Sequence, residues 1–277
     1  MMKSMKTNRR RLILGALLLL SLSQTPVFSG SRKEKSAAPE EAPQQEPVTI
    51  LVAAAASLEN VYVQELIPLF QKNHPQITVK GVYDSSGRLQ TQIEQGLEAD
   101  VFMSAATRQM DALVDKNFIA AASVKPLLQN KLVLIKPVGT NTAVTGFQNI
   151  TEASIIAIGD PATTPAGQYA QEAFINLGTW EAVSAKVSLG SNVTEVLNWV
   201  GEGSAEVGVV YATDAVSTKK VEIIEELPEG LLATKVIYPV GMLGASQHPE
   251  EAQLFINFLA SSEALGIFKA FGFSPNS

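Results

Sequence analysis

The sequence has 277 residues, 46% of them hydrophobic, which is enough to bury an extensive core in one large domain or two lobes. It contains no cysteine, and this excludes disulfides, thiol catalysis and thiolate metal sites. Five of its 21 basic residues lie in the first 11 positions, so the remainder carries 16 basic against 27 acidic residues, a net charge of −11. Nucleic acid is excluded as a partner on this basis, because no basic surface is available to displace phosphate counterions.

The first 30 residues have the pattern of a secretory signal peptide. Basic residues between Lys3 and Arg11 precede an apolar run from Leu12 to Leu22, and small residues follow around Ser29. So short a run does not comfortably span the roughly 30 Å of membrane hydrocarbon as a helix. We therefore expect an exported protein, in the periplasm or at the outer face of the cytoplasmic membrane. A permanent membrane anchor is the alternative.

Residues 31–47 are rich in Pro, Glu, Gln and Lys, and this composition predicts a disordered linker or a flexible tether. The segment begins at a site that resembles a lipoprotein processing site, with Ser31 in the place of the lipidated cysteine. Ser31 cannot carry that lipid, so the sequence leaves open whether the mature protein is tethered or free.

From Val48 onward, short apolar runs alternate with longer amphipathic segments. The apolar runs predict strands over 49–53, 76–83, 101–104, 131–136, 155–159, 186–189 and 206–211. The amphipathic segments predict helices over 58–73, 88–95, 107–116 and 167–177. This alternation is typical of α/β units built around mostly parallel sheets.

The C-terminal part has a different pattern of predicted elements. A long extended run over 234–243 precedes two helical patterns, one that begins at Pro249 and one over 263–271. Such a run after many α/β units suggests that the chain crosses back to complete its first lobe. We therefore expect one lobe from residues 48–129 plus 238–277 and a second from 130–237. Ligand would lie in the crevice between them, at the carboxyl ends of the strands.

Four segments of small residues share one design, because each follows a predicted strand and leads into a helical pattern. They are residues 52–58, 83–89, 159–167 and 190–193, two in each expected lobe. A helix start displays unpaired backbone N–H groups and the positive end of the helix dipole, and small side chains let a ligand approach the backbone. Convergence of these starts predicts an anion-binding site that needs no catalytic residue.

Each segment also has an ordinary structural interpretation. Ser57 is placed to cap a helix, Ser/Gly clusters such as 85–87 usually mark turns, and Tyr211 at a strand end is by default a core residue. An enzyme that uses Ser57 or a carboxylate pair is a weaker alternative. Neither histidine lies in a ligand-spaced cluster, and Ser57 has neither a Gly-x-Ser-x-Gly turn nor an evident base. Nothing in the sequence favours an adhesion or scaffold module.

In combination and in order, six motifs resemble the substrate-binding proteins of molybdate ABC transporters over residues 48–277. The motifs are residues 54–58, 85–96, 99–105, 159–170, 209–215 and 238–240. The resemblance implies an α/β, two-lobed periplasmic-binding-protein fold of type II, in which each lobe is a mostly parallel sheet flanked by helices. One departure is Gly87-Arg88, where more hydroxyl-bearing residues are typical.

In that family a tetrahedral oxyanion is held by neutral donors, and the resemblance places these donors on five residues here. Ser57 and Ser86 would contribute hydroxyl and backbone N–H groups, Ala166 and Val193 backbone N–H groups, and Tyr211 its hydroxyl. No protein group would bind the metal directly, since molybdenum or tungsten is held through the oxyanion's own oxygens.

The implied protein has no cofactor and no catalytic activity. It is a monomer that delivers molybdate or tungstate to a membrane permease served by a separate ATPase subunit. The alternative ligands are sulfate, thiosulfate or another small oxyanion, because the same architecture would serve them.

Overall fold

A computed structural model describes residues 47–276. The predicted signal peptide and all of the predicted linker except Pro47 lie outside the described residues. None of the helices in the described part is long and apolar enough to cross a membrane.

The strands and helices of residues 47–276 alternate along much of the chain. The strands are β1 (Val48–Ala55), β2 (Ile77–Asp84), β3 (Val101–Met103), β4 (Lys125–Asn130), β5 (Leu132–Pro137), β6 (Ile156–Gly159), β7 (Val187–Gly190), β8 (Val207–Tyr211), β9 (Val221–Glu226), β10 (Val236–Met242) and β11 (Ser274–Pro275). The α-helices are α1 (Glu59–Val61), α2 (Ile67–Asn73), α3 (Ser86–Glu94), α4 (Thr107–Asp115), α5 (Pro165–Asn176), α6 (Trp180–Ser184), α7 (Val193–Gly201), α8 (Ala212–Val216), α9 (Pro249–Leu259) and α10 (Ser262–Ala270). Short 3-10 turns lie at Ala56–Leu58, Ala121–Ser123 and Phe147–Glu152, and a π-helical turn at Tyr62–Leu66.

The strands form two sheets flanked by helices, which confirms the α/β class. In the first sheet the order is β11-β4-β10-β3-β1-β2, and in the second it is β7-β6-β8-β5-β9. The prediction of mostly parallel sheets needs correction, because both sheets are mixed. In the first sheet β10 runs antiparallel to β3 and β4, and β11 runs antiparallel to β4; in the second, β5 runs antiparallel to β8 and β9.

Two of the antiparallel strands, β5 and β10, are the first strands after the two passages of the chain between the sheets. β4 leads into β5 through the single residue Lys131, and β9 leads back to β10. The predicted strands did not include β4 or β9. β9 has three glutamates and lies at a sheet edge, so it lacks the clean apolar alternation of a half-buried strand. The division into two lobes at these passages stays a prediction.

The core of the first sheet follows from the alternation of β1. Ile50, Val52 and Ala54 face one apolar cluster and Ala53 faces another, as expected for a central strand covered on both sides. Aromatic side chains fill the first cluster, with the ring of Phe70 centred 5.0 Å from that of Phe255.

The predicted helix over 58–73 is present but interrupted. The π-helical turn Tyr62–Leu66 ends two residues before Pro68, which lies in the first turn of α2. Proline has no N–H for the carbonyl four residues earlier, so the regular hydrogen-bond pattern is broken there.

Candidate functional site

The carboxyl ends of strands from both sheets meet at one small cavity. All five predicted site residues line this cavity of about 20 Å³, together with Ala55, Ala56, Ser85, Ala105, Thr164 and Pro165. Each of the five is 8% exposed or less. The structure therefore brings together residues that are far apart in the chain: four of them follow β1, β2, β6 and β7, and Tyr211 is the last residue of β8. We call this the interlobe cavity, after the two lobes that the sequence predicts.

The backbone N–H groups of Ser57, Ser86, Ala166 and Val193 have no hydrogen-bond partner within residues 47–276. Each lies at the beginning of a helical turn, where N–H groups have no partner inside the helix. Buried N–H groups are nearly always paired in folded proteins, so four such groups around one cavity mark it as a place for a hydrogen-bond acceptor.

The sequence of the first turn of α5 explains why the backbone N–H of Ala166 is unpaired. Pro165 has no N–H, and the N–H of Gly167 donates to the capping hydroxyl of Thr164 at 3.0 Å. The N–H of Gln168 donates to the Thr164 carbonyl, also at 3.0 Å. Ala166 therefore holds the one N–H of this turn that these contacts leave for a ligand.

The Ser86 hydroxyl is fixed as an acceptor toward the protein. Its Oγ accepts a hydrogen bond of 3.0 Å from the N–H of Ala105, which follows β3. A hydroxyl has one proton and two lone pairs, so the Ser86 proton stays available to an acceptor in the interlobe cavity. The serine can thus donate twice, once from the backbone and once from the side chain.

Ser57 does not act as a helix cap, which removes its ordinary structural interpretation. Its Oγ instead lies 2.9 Å from the hydroxyl oxygen of Tyr238. That oxygen also accepts from the Asn130 side-chain amide at 3.2 Å. Either hydroxyl can donate in the Ser57–Tyr238 contact. Because the Tyr238 oxygen already accepts from Asn130, its own proton can be donated to Ser57, and in that arrangement the Ser57 proton can point into the interlobe cavity.

The Tyr211 hydroxyl is buried and has no partner among the described residues. Burial raises the pKa of this phenol well above its ordinary value, so the group keeps its proton and remains a donor. Its backbone N–H is already occupied, donating to Asp214 Oδ2 at 3.1 Å. Only the side chain of Tyr211 is therefore available to a ligand.

Sequence reasoning missed Ser85 as a residue of this site. Its Oγ is buried at the interlobe cavity, makes no hydrogen bond within the described part of the chain, and does not cap α3 although Ser85 occupies the N-cap position. The Ser85-Ser86 pair was the available signal, but a serine before a helix is most often a cap.

The interlobe cavity is neutral. Among the described residues that line it, none carries a charge. Arg88 is half-exposed and lies 3.9 Å from the carboxylate of Asp84. The carboxyl of Asp214, next to the backbone of Tyr211, is buried, and this burial raises its pKa to about 7. An anion here would be held by neutral hydrogen-bond donors alone.

A larger cavity of about 530 Å³ lies elsewhere, lined by residues that include Asp100, Ser246 and His248. The Asp100 carboxylate accepts from the Leu51 N–H at 2.7 Å and from the Ser246 hydroxyl at 2.6 Å. Both oxygens of this carboxylate are thus engaged by the protein.

Comparison with known proteins identifies the family of this chain. A family model of bacterial extracellular solute-binding proteins matches residues 50–274. YvgL of Bacillus subtilis (strain 168), named as an ABC transporter substrate-binding lipoprotein, is 38% identical over 230 residues, which cover 83% of this chain and 88% of YvgL. The molybdate-binding protein ModA of Escherichia coli (strain K12) is 36% identical over 231 residues, which cover 81% of this chain and 88% of that protein.

The solved structure of the Azotobacter vinelandii periplasmic molybdate-binding protein has the same fold. It matches with a TM-score of 0.72 at 21% identity, covering 82% of this chain and all of that one. The chain therefore belongs to the family of bacterial extracellular solute-binding proteins. This membership confirms the predicted binding protein, as opposed to an enzyme, and makes its ligand a transported solute with no resident cofactor.

Proposed function

We propose that this protein captures molybdate or tungstate outside the cytoplasmic membrane and delivers it to an ABC permease, whose ATP is hydrolysed by a separate subunit. The observation that carries the proposal is the convergence of unpaired neutral donors from both sheets on one small cavity. The 36% sequence identity with ModA of E. coli, a molybdate-binding protein, supports the choice of ligand.

The donors match what a tetrahedral dianion requires. Ser57 and Ser86 supply two hydrogen-bond donors each, and Ala166, Val193 and Tyr211 supply one each, which makes seven donors. Hydrogen bonds to a charged group contribute roughly 1.5–3 kcal/mol each, so about seven give some 10–20 kcal/mol before costs. Immobilising the anion and closing the lobes subtract from this sum. A net binding free energy of about −8 to −12 kcal/mol corresponds to micromolar to nanomolar affinity.

Selectivity follows from the rigidity of the backbone donors. N–H groups at helix starts cannot all contract onto a smaller ion, so sulfate would leave several of them poorly paired. A protonated oxyanion such as hydrogen phosphate brings its own donor, which a site built of N–H groups disfavours. Hydroxyl groups can accept as well as donate, which makes this second filter the weaker one.

Titration calorimetry of the protein with molybdate, tungstate, sulfate and phosphate tests the proposed ligand. We expect one site per chain, tight binding of molybdate and tungstate, and much weaker binding of the other two ions. Comparable affinity for sulfate would refute the size argument and favour a sulfate or thiosulfate carrier. Absence of binding by all four anions would refute the proposed function.

The proposal includes two lobes, residues 48–129 plus 238–277 and residues 130–237, that close around the ligand as a monomer. Its support is that β5–β9 make up one sheet and the remaining strands the other. Closure would remove water from the interlobe cavity and strengthen each hydrogen bond in a lower dielectric. Small-angle scattering with and without molybdate should show a more compact particle when the ligand is bound.

A further inference from the structure

The turn that carries Ser86 also touches the opposite side of the cleft. Gly87, the next residue in α3, donates its backbone N–H to the carbonyl of Thr163 at 3.0 Å. α3 follows a strand of the first sheet, and Thr163 lies in the loop between β6 and α5 of the second. This bond therefore joins the two halves of the protein directly beside two of the proposed ligand donors, Ser86 and Ala166.

No side chain fits at position 87 in this arrangement. A Cβ there would overlap the Thr163 carbonyl oxygen and would lie 2.9 Å from the carbonyl carbon and 3.0 Å from the Thr163 Cα. All three are backbone atoms of a loop held by hydrogen bonds from Thr163 and Thr164 to the Asp160 carbonyl, so no flexible side-chain end can move away. Relief of the overlap requires the two halves of the cleft to separate.

Other contacts across the cleft are more tolerant. The Gln109 side chain donates to that of Gln168 at 3.1 Å, and Asn192 reaches Asp84 at 3.5 Å. Both pairs join flexible side chains, which can follow a small displacement. The contact between Gly87 and Thr163 is a backbone contact and cannot.

We propose that Gly87 is a positioning residue for anion capture, because its missing side chain lets the two halves approach until donors from both reach the ligand. The inference rests on the proposed function. Hydrogen bonds to an anion need donor–acceptor distances of about 2.7–3.2 Å, so a gap held open by a side chain takes the Ala166 and Val193 donors out of range. Contacts that hold two halves of a binding site together mainly slow ligand dissociation. The ligand should therefore dissociate faster from a variant in which a side chain at position 87 keeps the halves apart.

The test compares Gly87→Ala and Gly87→Val with the wild type and with Gly266→Ala. Gly266 is a matched control, since it also lies within a helix, has no positive φ, and offers open space to a Cβ. Three measurements are made on each protein: the molybdate Kd by calorimetry, the melting temperature without ligand, and the radius of gyration in saturating molybdate.

We expect Gly87→Ala to bind molybdate at least about tenfold more weakly, which corresponds to the loss of one or more charge-assisted hydrogen bonds. Gly87→Val should lose still more affinity. The unliganded melting temperature of Gly87→Ala should not fall, because alanine favours a helix over glycine. The loaded variant should also be less compact than the loaded wild type, and Gly266→Ala should match the wild type.

Two results would overturn the inference alone: binding by Gly87→Ala within twofold of the wild type, or weaker binding accompanied by a lower unliganded melting temperature. The second result would assign Gly87 a role in folding. Failure of the wild type itself to bind any of the four anions would overturn the proposed function and this inference with it.

Discussion

At the scale of single residues, removal of the Tyr211 hydroxyl is expected to affect ligand binding and folding stability in different ways. It is buried without a partner among the described residues, and such a group costs roughly 1–3 kcal/mol of folding free energy. Tyr211→Phe should therefore leave the unliganded protein as stable as the wild type or more so. Its affinity for molybdate should fall by about 10- to 100-fold, the value of one hydrogen bond to a charged group.

Calorimetry and thermal melting check this prediction. Tyr62→Phe is the matched control, because that phenol donates to the sulfur of Met103 at 3.0 Å, away from the interlobe cavity. The control should bind molybdate as the wild type does. Unchanged affinity in Tyr211→Phe would remove Tyr211 from the site.

Asp214 gives a prediction for the dependence of stability on pH. Burial raises its pKa to about 7 in the folded protein, against 3.8 for the ordinary carboxyl. The folded state holds this proton more tightly than the unfolded state, so stability decreases as the pH rises from about 4 to about 7 and no further above that. Three pKa units correspond to about 4 kcal/mol, an upper limit for this group.

Asp214→Asn keeps an oxygen that can accept from the Tyr211 N–H but removes the titration. The stability of this variant minus that of the wild type should therefore increase between pH 4 and 7 and stay constant at higher pH. Urea unfolding at several pH values measures the difference, in which groups common to both proteins cancel. A difference that does not change with pH would show that Asp214 is not the titrating group.

At the scale of elements, the cap of α5 gives a prediction for both helix stability and ligand binding. The Thr164 hydroxyl accepts from the Gly167 N–H at 3.0 Å and donates to the Asp160 carbonyl at 2.9 Å. Thr164→Ala should cost about 1 kcal/mol of stability. It should also weaken molybdate binding, because the first turn of α5 presents the Ala166 N–H.

Ser261→Ala is the comparison that isolates this effect. Ser261 caps α10 through the N–H of Ala264 at 3.2 Å and does not line the interlobe cavity. The two variants should lose similar stability in urea, but only Thr164→Ala should lose affinity. Equal affinities would mean that the α5 terminus keeps its geometry without the cap, or that Ala166 is not a donor.

Periodicity predicted the elements that are apolar and regular, and failed for those that are not. The predicted strands correspond to β1–β3, β5–β8 and β10, whereas β4, β9 and the two-residue β11 were missed. Lys125 and Pro126 begin β4, and glutamates break the pattern of β9. The description of mostly parallel sheets was wrong for another reason, since periodicity does not determine strand direction: β5 pairs antiparallel with β8, and β10 with β3, although all four strands were predicted.

The site was predictable to the extent that it depends on local sequence. In the sequence, a predicted strand, a run of small residues and a helix start can be recognised one after another. Five residues were chosen from such segments or on the basis of the family resemblance, and all five line the same cavity. Their roles as ligands stay predictions. The unpaired Ser85 hydroxyl and the contact between Gly87 and Thr163 could not be predicted, because both depend on how distant segments approach each other.

At the scale of the whole molecule, charge gives a kinetic prediction. The chain beyond the predicted signal peptide carries a net charge of −11, so a dianion approaches against an unfavourable long-range field. Salt screens that field, with a Debye length of about 30 Å at 0.01 M and about 8 Å at 0.15 M. The association rate for molybdate should therefore rise by about twofold or more over this range, the reverse of an electrostatically steered pair.

Stopped-flow fluorescence of Trp180 and Trp199, the two tryptophans of the sequence, can follow this association. The dissociation rate should change little with salt, because the contacts inside the interlobe cavity are short and shielded from solvent. An association rate that decreases with salt would show that the local field at the cleft is positive, despite the net charge.

The single residue between β4 and β5 limits how this protein can move. Lys131 supplies only two soft backbone angles, and its neighbour Asn130 bonds to Thr213 and to Tyr238, which in turn touches Ser57. Bending at this passage would therefore rotate one sheet about a nearly fixed axis, with little room for sliding, and the same bend would turn the Ser57 hydroxyl. A bend at Lys131 would thus be coupled to the interlobe cavity, and adding residues beside Lys131 should weaken that coupling while leaving every proposed ligand contact in the chain.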